Sequence, residues 1–383
     1  MRFVGMSPRS QVGMRRRVYN IRRMKTNSLT VGLDLGDRRH HVCVLDAAGE
    51  ILAEEAIANT REVVTAFSAR YPGATFVMET GTHSPWVSRL LTALGHPVIV
   101  ANARKLRAIS QSQTKSDRED AQMLARLGRA DPKLLSPIRH RSEATQRALV
   151  RLKVREALVR SRVNLVNSVR FLLKSLGVFV SSSIKAMAFA RKVRAQLAPA
   201  DAALVAPLLA AIEAINAQVK ALDLELETFA GENYPATARL RQIPGVGPIT
   251  ALCFVLTLED PKHFAHARAA GAYLGLVPRR DQSGQTDKQL GITKAGHVQL
   301  RCLLVNCAHY ILGPFGPPCA LRTAGERIAA RGGKSAKKRA VIAVARKLAV
   351  TLLALWKTGA DYRPLPDTPT SDTPVLVALP HAA

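Results

Sequence analysis

The chain has 383 residues, of which 47% are hydrophobic, which excludes a protein that is disordered throughout and allows two or three domains with their own cores. Lys and Arg number 56 against 28 Asp and Glu, giving a formal net charge of +28. This excess favours a nucleic-acid partner, because each phosphate that is neutralised releases a counterion. No run of consecutive apolar residues approaches the ~18 needed to span a membrane, so no membrane partner is expected.

The cysteines and the amino terminus bear on localisation. The five cysteines are odd in number and lie mostly in apolar segments, which favours reduced core thiols and a cytoplasmic protein. Residues 1–28 are rich in Arg and lack the apolar stretch of a secretory signal. We therefore expect a disordered basic arm over residues 1–28.

Residues 29–141 have the pattern of a mixed α/β domain. Three short strands are expected first, separated by turn-prone glycines, at Thr30–Leu35, His41–Leu45 and Ile51–Ala56. Helices and strands then alternate, at about Thr60–Arg70, Thr75–Met78, Pro85–Leu94 and Pro97–Ala101. Three strands followed by this alternation is the order of the ribonuclease-H-like fold, a mixed sheet flanked by helices.

Residues 142–232 are predicted to be helical, with few helix-breaking residues. Apolar residues repeat with the 3-4 spacing of a heptad seam, at Val205, Leu208, Ile212, Ile215, Val219, Leu222, Leu226 and Phe229. An intramolecular helical hairpin and a dimerisation arm both explain this spacing, and the sequence does not separate them.

Residues 233–362 form a third predicted region, mostly α-helical. It opens with the segment IPGVGP, which starts at Ile243, and ends in a long basic helix that runs through Trp356. The tail, residues 363–383, is rich in Pro and Thr and is predicted to be disordered.

Four acidic residues are candidates for metal-dependent chemistry. Asp34 lies inside the first predicted strand, Glu79 ends the strand Thr75–Met78, and Asp117 and Asp120 share one face of a helix at i, i+3 spacing. Four such carboxylates can hold two divalent cations about 4 Å apart, a common arrangement for phosphodiester displacement. Asp117 alone is better explained as a helix N-terminal acid, whereas an unpaired aspartate in an apolar strand is costly.

Ser283 is a candidate nucleophile in a predicted polar loop. The loop also carries Arg279, Arg280 and Lys294, whose charges could neutralise a phosphate. On the local sequence alone, an ordinary Ser-Gly turn is the simpler interpretation.

Two further features are typical of DNA binding. The glycines of IPGVGP, Gly245 and Gly247, resemble those of a helix-hairpin-helix motif, where backbone N–H groups approach a phosphate. The final helix carries the basic run Lys337, Lys338 and Arg339 without an intervening acid. A plain chain reversal and a solvated charged face are the alternatives; in so basic a chain we favour phosphate contacts.

Three rival interpretations are weaker. The segment GLDLG also resembles the first phosphate motif of actin-like ATPases, but no second glycine-rich loop follows in a matching place. Gly333-Lys334-Ser335 imitates the end of a Walker motif, but the preceding glycine of that motif is replaced by Ile328. Cys302 and Cys307 lie at i, i+5 in an apolar helix, so we interpret them as core residues and not as zinc ligands.

Taken in order, GLDLG, VMET, KSDREDAQMLA, IPGVGPITA, QSG, GITKAG and RAVIAVARKLA resemble one family over about residues 29–362. It is the IS-one-ten type of insertion-sequence transposase, which includes Piv-like DNA invertases. The resemblance implies a RuvC-like domain in which Asp34, Glu79, Asp117 and Asp120 hold magnesium, in a two-metal arrangement. It also implies a transposase domain whose Ser283 forms a covalent phosphoserine with DNA. Many relatives have two adjacent serines here, whereas this chain has Gln282-Ser283-Gly284.

The resemblance further implies partners. They are the DNA of the element ends and target, a non-coding guide RNA from the element, and other copies of the chain in a dimer or tetramer. Two alternatives to an RNA-guided recombinase stay open: a hydrolytic RuvC-like nuclease acting on branched DNA, and a non-catalytic nucleic-acid-binding protein whose acids are structural.

Overall fold

The computed structural model describes residues 29–106, 116–284 and 286–365. The chain divides into two compact units, with the boundary between Ser142 and Glu143. The predicted basic arm and nearly all of the predicted tail lie outside the described residues.

The first unit is built on a five-stranded mixed sheet with the strand order β3-β2-β1-β4-β5. The strands are β1 Thr30–Leu35, β2 Arg39–Leu45, β3 Ile51–Ala58, β4 Thr75–Glu79 and β5 Val98–Ala101. The first three strands pair antiparallel, whereas β4 runs parallel to both β1 and β5. An N-terminal α/β domain with a mixed sheet is therefore confirmed, and its strands lie within a few residues of the predicted positions.

Alternation along the strands gives the sheet two different faces. On one face Leu33, Val42 and Met78 join a core that is covered by helices α1 Arg61–Ala69 and α2 Ser84–Ala93. The other face is covered by helix α3 Asp117–Ala130, which lies against β1, β2 and β4. Asp34 follows Leu33, so it belongs to the face that α3 covers.

The second unit is mostly helical, as predicted. Its helices are α4 Glu143–Ser175, α5 Phe189–Gln196, α6 Pro199–Asn233, α7 Ala236–Leu240, α8 Pro248–Leu258, α9 Ala269–Tyr273, α10 Val298–Leu312, α11 Ala320–Ala329 and α12 Ala336–Thr358. Short 3-10 turns at Pro132–Leu135 in the first unit and at Ala186–Ala188 and Pro261–His263 in the second complete the helical segments. Helix α8 is apolar throughout its middle and lies in the centre of the largest core.

The predicted heptad seam of α6 is largely occupied within the chain. Its buried residues are Val205, Leu209, Ile212, Asn216, Val219, Leu226 and Ala230. This stripe shares four positions with the predicted seam and is shifted by one residue at the others. Helix α4 packs along α6, and Arg151 and Arg155 of α4 form ion pairs with Glu225 and Asp223 of α6. The structure thus contains the intramolecular hairpin.

Helix α6 also has the length and apolar composition that would allow a helix to cross a membrane. No other helix among the described residues reaches those values. Core helices of soluble proteins have the same properties, so this single helix is weak evidence for a membrane span.

Candidate active site

Two of the predicted carboxylates lie at the same edge of the sheet. Strands β1 and β4 are parallel neighbours, with Leu33 paired to Met78, so the carboxyl ends of both strands reach one edge. Asp34 and Glu79 each follow a residue that points into the α1–α2 core, so both side chains project toward α3. The carboxyl edge of parallel strands is where ligands commonly bind in α/β sheets.

Helix α3 brings the other two carboxylates close to this edge. The helix begins at Asp117, and the hydroxyl of Ser116 caps it by accepting a hydrogen bond from the Glu119 backbone N–H at 3.2 Å. Its backbone lies directly on Gly32, where a Cβ would stand only 2.0 Å from the Ala121 carbonyl oxygen. Because Gly32 has no side chain, the helix approaches β1 closely and delivers its first turn, with Asp117 and Asp120, beside Asp34.

A polar contact to the edge of the sheet fixes the orientation of α3. Glu54 of β3 accepts hydrogen bonds from Arg118, whose Nε lies 2.8 Å from the Glu54 carboxylate, and from Gln122. These bonds hold the pKa of Glu54 below its usual range, with the Arg118 hydrogen bond as the main cause. Arg118 and Gln122 flank Asp120 in sequence, so the contact holds the turn that carries the candidate ligands.

The electrostatics of Asp34 show that the four acids form one cluster. Burial, followed by the negative charges of Asp117 and Asp120, raises the pKa of Asp34 to about 6. Glu79 also raises that pKa, and His41 is the one neighbour that lowers it. The other three carboxylates therefore lie within electrostatic range of Asp34, and a cation bound there would lower the repulsion that Asp34 experiences.

The donor set is suited to hard divalent cations, because all four candidate ligands are carboxylates. Across residues 29–106, 116–284 and 286–365, no three His, Cys, Asp or Glu side chains already converge as a closed metal-binding group. The carboxylates are therefore close enough to affect the pKa of Asp34, but their side chains do not converge on one position.

His41 is a site residue that the sequence analysis missed. It pairs directly with Asp34 across the β1–β2 ladder, and its Nε2 lies 3.6 Å from the Asp117 carboxylate. The position of the hairpin turn could have predicted this pairing, because a turn centred between Asp37 and Arg38 places residue 41 opposite residue 34.

A second group of missed residues ties together the loops that follow β1 and β4. His83 lies four residues after Glu79, and its Nε2 is 2.9 Å from the carboxylate of Asp37, which lies three residues after Asp34. The Nδ1 of His83 accepts a hydrogen bond from the Trp86 indole N–H at 3.3 Å, which leaves the proton on Nε2. The Asn59 amide donates to the carbonyl oxygens of Gly36 and Asp37, at 3.2 and 3.0 Å.

Ser283 is not in a loop, as the sequence suggested, but at the end of a strand. Strands β6 Pro278–Ser283 and β7 Thr286–Ile292 form a two-stranded antiparallel ribbon in which Ser283 pairs with Thr286. Gly284 follows in the left-handed region, with φ at +54°, so a Ser-Gly turn is present at the tip. A ribbon replaces the expected loop because the polar side chains of both strands can remain solvated while the backbones pair. All residues of β6 are exposed.

The basic residues near Ser283 have different surroundings. Arg279 lies at a register shift in β6, and Arg280 makes a bidentate ion pair with Asp287 on β7, with N–O distances of 2.8 and 2.7 Å. Lys294 has a positive φ of 54°, in the segment between β7 and α10, and its backbone N–H donates to the Gly275 carbonyl.

Buried Arg301 anchors the base of that segment. Its guanidinium donates to the carbonyl oxygens of Leu274 and Ala295, at 3.1 and 2.6 Å. Its position inside the apolar helix α10 gave no sign of this role in the sequence.

The glycines of IPGVGP differ in their contacts. Gly245 has a φ of +82°, and a Cβ there would stand 2.8 Å from the Tyr310 ring, so this glycine serves a turn packed against α10. A Cβ on Gly247, at the start of α8, would meet nothing within 4 Å. Only the second glycine therefore leaves open space for a ligand.

The remaining predicted residues lie on exposed helix surface. Lys337, Lys338 and Arg339 occupy the exposed first turn of α12. The interpretation of both α10 cysteines as core residues is wrong for one of them: Cys307 is buried but Cys302 is exposed, because positions five apart point in different directions on a helix.

Two family models match the chain. Residues 31–178 match a transposase model of the DEDD type associated with IS110, and residues 237–319 match the model described as "Transposase IS116/IS110/IS902 family". The first match covers all four carboxylates, and the second covers Ser283.

Curated proteins are similar over most of the chain. The transposase for insertion sequence element IS1328 of Yersinia enterocolitica is 30% identical over 74% of this chain and 83% of its own length. The transposase for element IS1111A of Coxiella burnetii is 27% identical over 77% of this chain and 81% of its own. A pilin gene-inverting protein of Moraxella bovis is 26% identical over 74% of this chain and 80% of its own.

Proposed function

Because this chain belongs to the IS116/IS110/IS902 family of transposases, enzymes that cut and rejoin DNA, we propose that it moves its element by a carboxylate-assisted, serine-mediated strand exchange. In this proposal residues 29–141 form a RuvC-like domain of the ribonuclease-H class, residues 142–232 a helical middle and residues 233–362 the transposase domain. The strand order β3-β2-β1-β4-β5, with β2 antiparallel to its neighbours, supports the RuvC-like assignment.

The observation that carries the proposal is the meeting of four carboxylates at one edge of the sheet. The raised pKa of Asp34 shows that they repel one another there. Groups of acids that perturb the pKa of a half-buried carboxyl are typical of functional sites.

We assign Asp34, Glu79, Asp117 and Asp120 as ligands of divalent cations, most simply two magnesium ions. Bound there, the cations would stabilise the charge that builds up on the phosphate oxygens during displacement. The protein's own contribution is placement: the sheet fixes Asp34 and Glu79, and the close contact at Gly32 fixes the first turn of α3. His41 is a neighbour of Asp34 and Asp117 on the same face.

We assign Ser283 as the nucleophile. Its Oγ attacks the phosphorus of the scissile phosphodiester, the bond from phosphorus to the leaving deoxyribose oxygen breaks, and the hydroxyl proton passes to a base while the leaving oxygen gains one. A hydroxyl of the second DNA strand then attacks the phosphoserine, which releases Ser283 and joins the strands. One phosphodiester bond has then been broken and one formed. The exposed position of Ser283 at the tip of the ribbon supports this role, since a DNA phosphate can reach it.

The remaining assignments concern the partners. Gly247 offers open backbone at the start of α8 for a helix-hairpin-helix-type phosphate contact, beside Gly245 in the turn. Arg279, Arg280, Lys294, Lys337, Lys338 and Arg339 are proposed contacts to nucleic-acid phosphates, in keeping with the net charge of +28. The guide RNA, the homo-oligomer and the cytoplasmic location belong to the same proposal.

The test is a trapping assay. Full-length protein is mixed with magnesium, the element's non-coding RNA and labelled junction DNA, then denatured and separated beside Ser283→Ala and Thr286→Ala. Thr286 is the matched control, because it carries the other hydroxyl paired across the tip of the ribbon.

We expect a covalent protein–DNA band from the wild type and from Thr286→Ala but not from Ser283→Ala. Metal-dependent cleavage in all three proteins without such a band would replace the proposal with a hydrolytic nuclease acting on branched DNA.

A further inference from the structure

An open cleft lies at the carboxyl edge of the sheet, on the face opposite the carboxylates. Its volume is about 450 Å³, and it is lined by Asn59, Arg61, His83 and Trp86. The cleft is shallow and open to solvent, so it could hold a base lying on the surface but would not enclose a small ligand. The cleft belongs to the α1–α2 side because Arg61 begins α1 and Trp86 lies in the first turn of α2.

The walls of the cleft are fixed before any ligand arrives. Trp86 donates its indole N–H to His83, and His83 in turn is held by the Asp37 carboxylate. The polar edge of the indole is therefore satisfied within the protein, and the ring itself packs against the α1–α2 core. Because the side chain is already held in place, a ligand that stacks on it loses little conformational entropy.

Arg61 adds a positive charge to the same wall. Its guanidinium lies over the Trp86 ring, 5.5 Å from the ring centroid, and the side chain is exposed. It forms no ion pair with any residue that the structure describes. An aromatic ring beside a guanidinium without a carboxylate partner is a combination that holds unstacked nucleotides, because a base can take the place of the guanidinium over the ring while the charge attracts the phosphate.

Unsatisfied polar atoms lie beside the cleft. The Asn59 Oδ1 is buried without a hydrogen-bond partner among the described residues, and the neighbouring ring nitrogens of His40 are buried as well. The His40 ring is fully buried, with its centroid 6.3 Å from those of His83 and Trp86. Burial lowers the pKa of His40 to about 4, so the ring is neutral and offers one donor and one acceptor. Because the His40 ring is enclosed by the protein, it supports the side chains behind the cleft and does not itself face a ligand.

The position of the cleft indicates which nucleic acid it meets. Asp37 lies three residues after Asp34 and His83 four residues after Glu79, so the cleft and the carboxylates share the same two loops. A strand whose phosphate lies at the carboxylates must pass this edge of the sheet. We infer that the cleft holds an unstacked base of the DNA strand being cut, near the scissile phosphate, stacked on Trp86 with its phosphate near Arg61. This inference rests on the proposed function, since it takes the strand at the carboxylates to be DNA.

The first experiment uses Trp86 as its own reporter. The chain has two tryptophans, so Trp356→Phe leaves Trp86 as the only indole, and the new ring keeps an aromatic contact with Phe254. The full-length variant is titrated, in EDTA, with single-stranded DNA of the element end, with an RNA of the same sequence and with heparin. Anisotropy of labelled ligands measures binding separately.

We expect saturable quenching of Trp86 fluorescence by DNA, weaker quenching by RNA and none by bound heparin, which has charge but no bases. Equal quenching by heparin, or DNA binding without quenching, would overturn the inference. Stronger quenching by RNA than by DNA would assign the cleft to RNA and likewise reject it.

The second experiment separates stacking from structural support. Trp86→Phe keeps an aromatic face but loses the N–H donated to His83, whereas Trp86→Leu loses both. If the base stacks on residue 86, affinity for DNA with an unpaired base falls about tenfold in the Leu variant and only slightly in the Phe variant. Equal losses in both variants would mean that the indole only supports His83. Arg61→Gln changes an exposed side chain, so it should not disturb folding. We expect it to weaken DNA binding and to reduce the slope of log affinity against log salt concentration by about one.

These readouts do not depend on cleavage. If quenching and the Phe–Leu difference persist in a protein that never cuts DNA, the cleft assignment stands while the proposed catalytic role fails. If cleavage proceeds normally in Trp86→Leu and no quenching occurs, the cleft assignment alone fails.

Discussion

Asp34 lies on the inner strand of a five-stranded sheet, under a helix that presses directly on its own strand, whereas Ser283 ends a two-stranded ribbon whose first strand is entirely exposed. The carboxylate has neighbours that perturb it strongly, so that its pKa rises to about 6. No hydrogen bond to the Ser283 hydroxyl occurs within the described part of the chain. The two halves of the proposed chemistry thus differ in their surroundings: folding alone places the proposed metal ligands, whereas we expect bound DNA to complete the surroundings of the proposed nucleophile.

The largest effect is expected from removing a carboxylate. Asp34→Ala should lower DNA cleavage by about 1,000-fold or more, because the cluster acts as a unit, while DNA binding measured by anisotropy stays intact. Glu119→Gln is the matched control, since Glu119 lies in the same helical turn but is not among the charges that shift Asp34. Full activity in Asp34→Ala would show that the acids are structural.

A smaller effect is expected from moving the helix without touching a carboxylate. In Gly32→Ala the new Cβ would meet the Ala121 carbonyl oxygen at 2.0 Å, so α3 must shift, and we expect a loss of about 2–3 kcal/mol of stability together with reduced cleavage. Gly81→Ala is the control, because a Cβ there meets nothing within 4 Å. Thermal unfolding measures the stability and a cleavage assay measures the rate. If Gly32→Ala and Gly81→Ala had the same stability and the same cleavage rate, close packing of α3 on Gly32 would be contradicted.

The raised pKa of Asp34 predicts a pH-dependent stability difference in metal-free protein. The carboxyl is protonated in both states below its unfolded pKa near 4. As pH rises through about 6, the folded state must ionise it against burial and its neighbours. Asp34→Asn removes this penalty, so it should stabilise the protein at pH 8 by about 1–2 kcal/mol, since solvent screens part of the effect at this half-buried carboxyl, and have little effect at pH 4. Urea unfolding in EDTA at both pH values checks the sign; a variant that is less stable at pH 8 would show that Asp34 is satisfied without metal.

The smallest effect is expected on the ribbon. Asp287 holds Arg280 in a bidentate pair, so Asp287→Asn should release Arg280 for a phosphate. DNA binding should then become more salt-dependent, with the slope of log affinity against log salt steeper by about one. Asp281→Asn removes one negative charge from the same strand without releasing Arg280 and serves as the control. The same slope change in both variants would mean that only net charge matters.

Much of the first unit could be predicted from the sequence because its signals are local. Strand β1 has the predicted bounds, since an apolar run between turn residues leaves little choice. Asp34 stood out as a charge inside an apolar strand, Glu79 as a charge at the end of one, and Asp117 and Asp120 as acids at i, i+3 spacing on a helix. What the sequence could not show is the close approach at Gly32, because a missing Cβ has meaning only when the partner helix is known.

The missed residues share a different cause. His40 and His41 look alike in the sequence, yet strand pairing sends one toward Trp86 and the other toward Asp117. Asn59 and His83 act through contacts with residues more than twenty positions away. The ribbon was missed because its alternation is between polar residues, so no apolar period marked either strand.

The exposed ribbon also bears on how such proteins diversify. Because no side chain of β6 is buried, the core places almost no constraint on the length of the ribbon. Adding or removing one residue from each strand would carry Ser283 to the other side of the ribbon, whereas steps of two would change its reach and keep its direction. Evolution can therefore alter where the serine meets DNA in paired steps, at little cost to folding, while the carboxylate half of the enzyme stays unchanged.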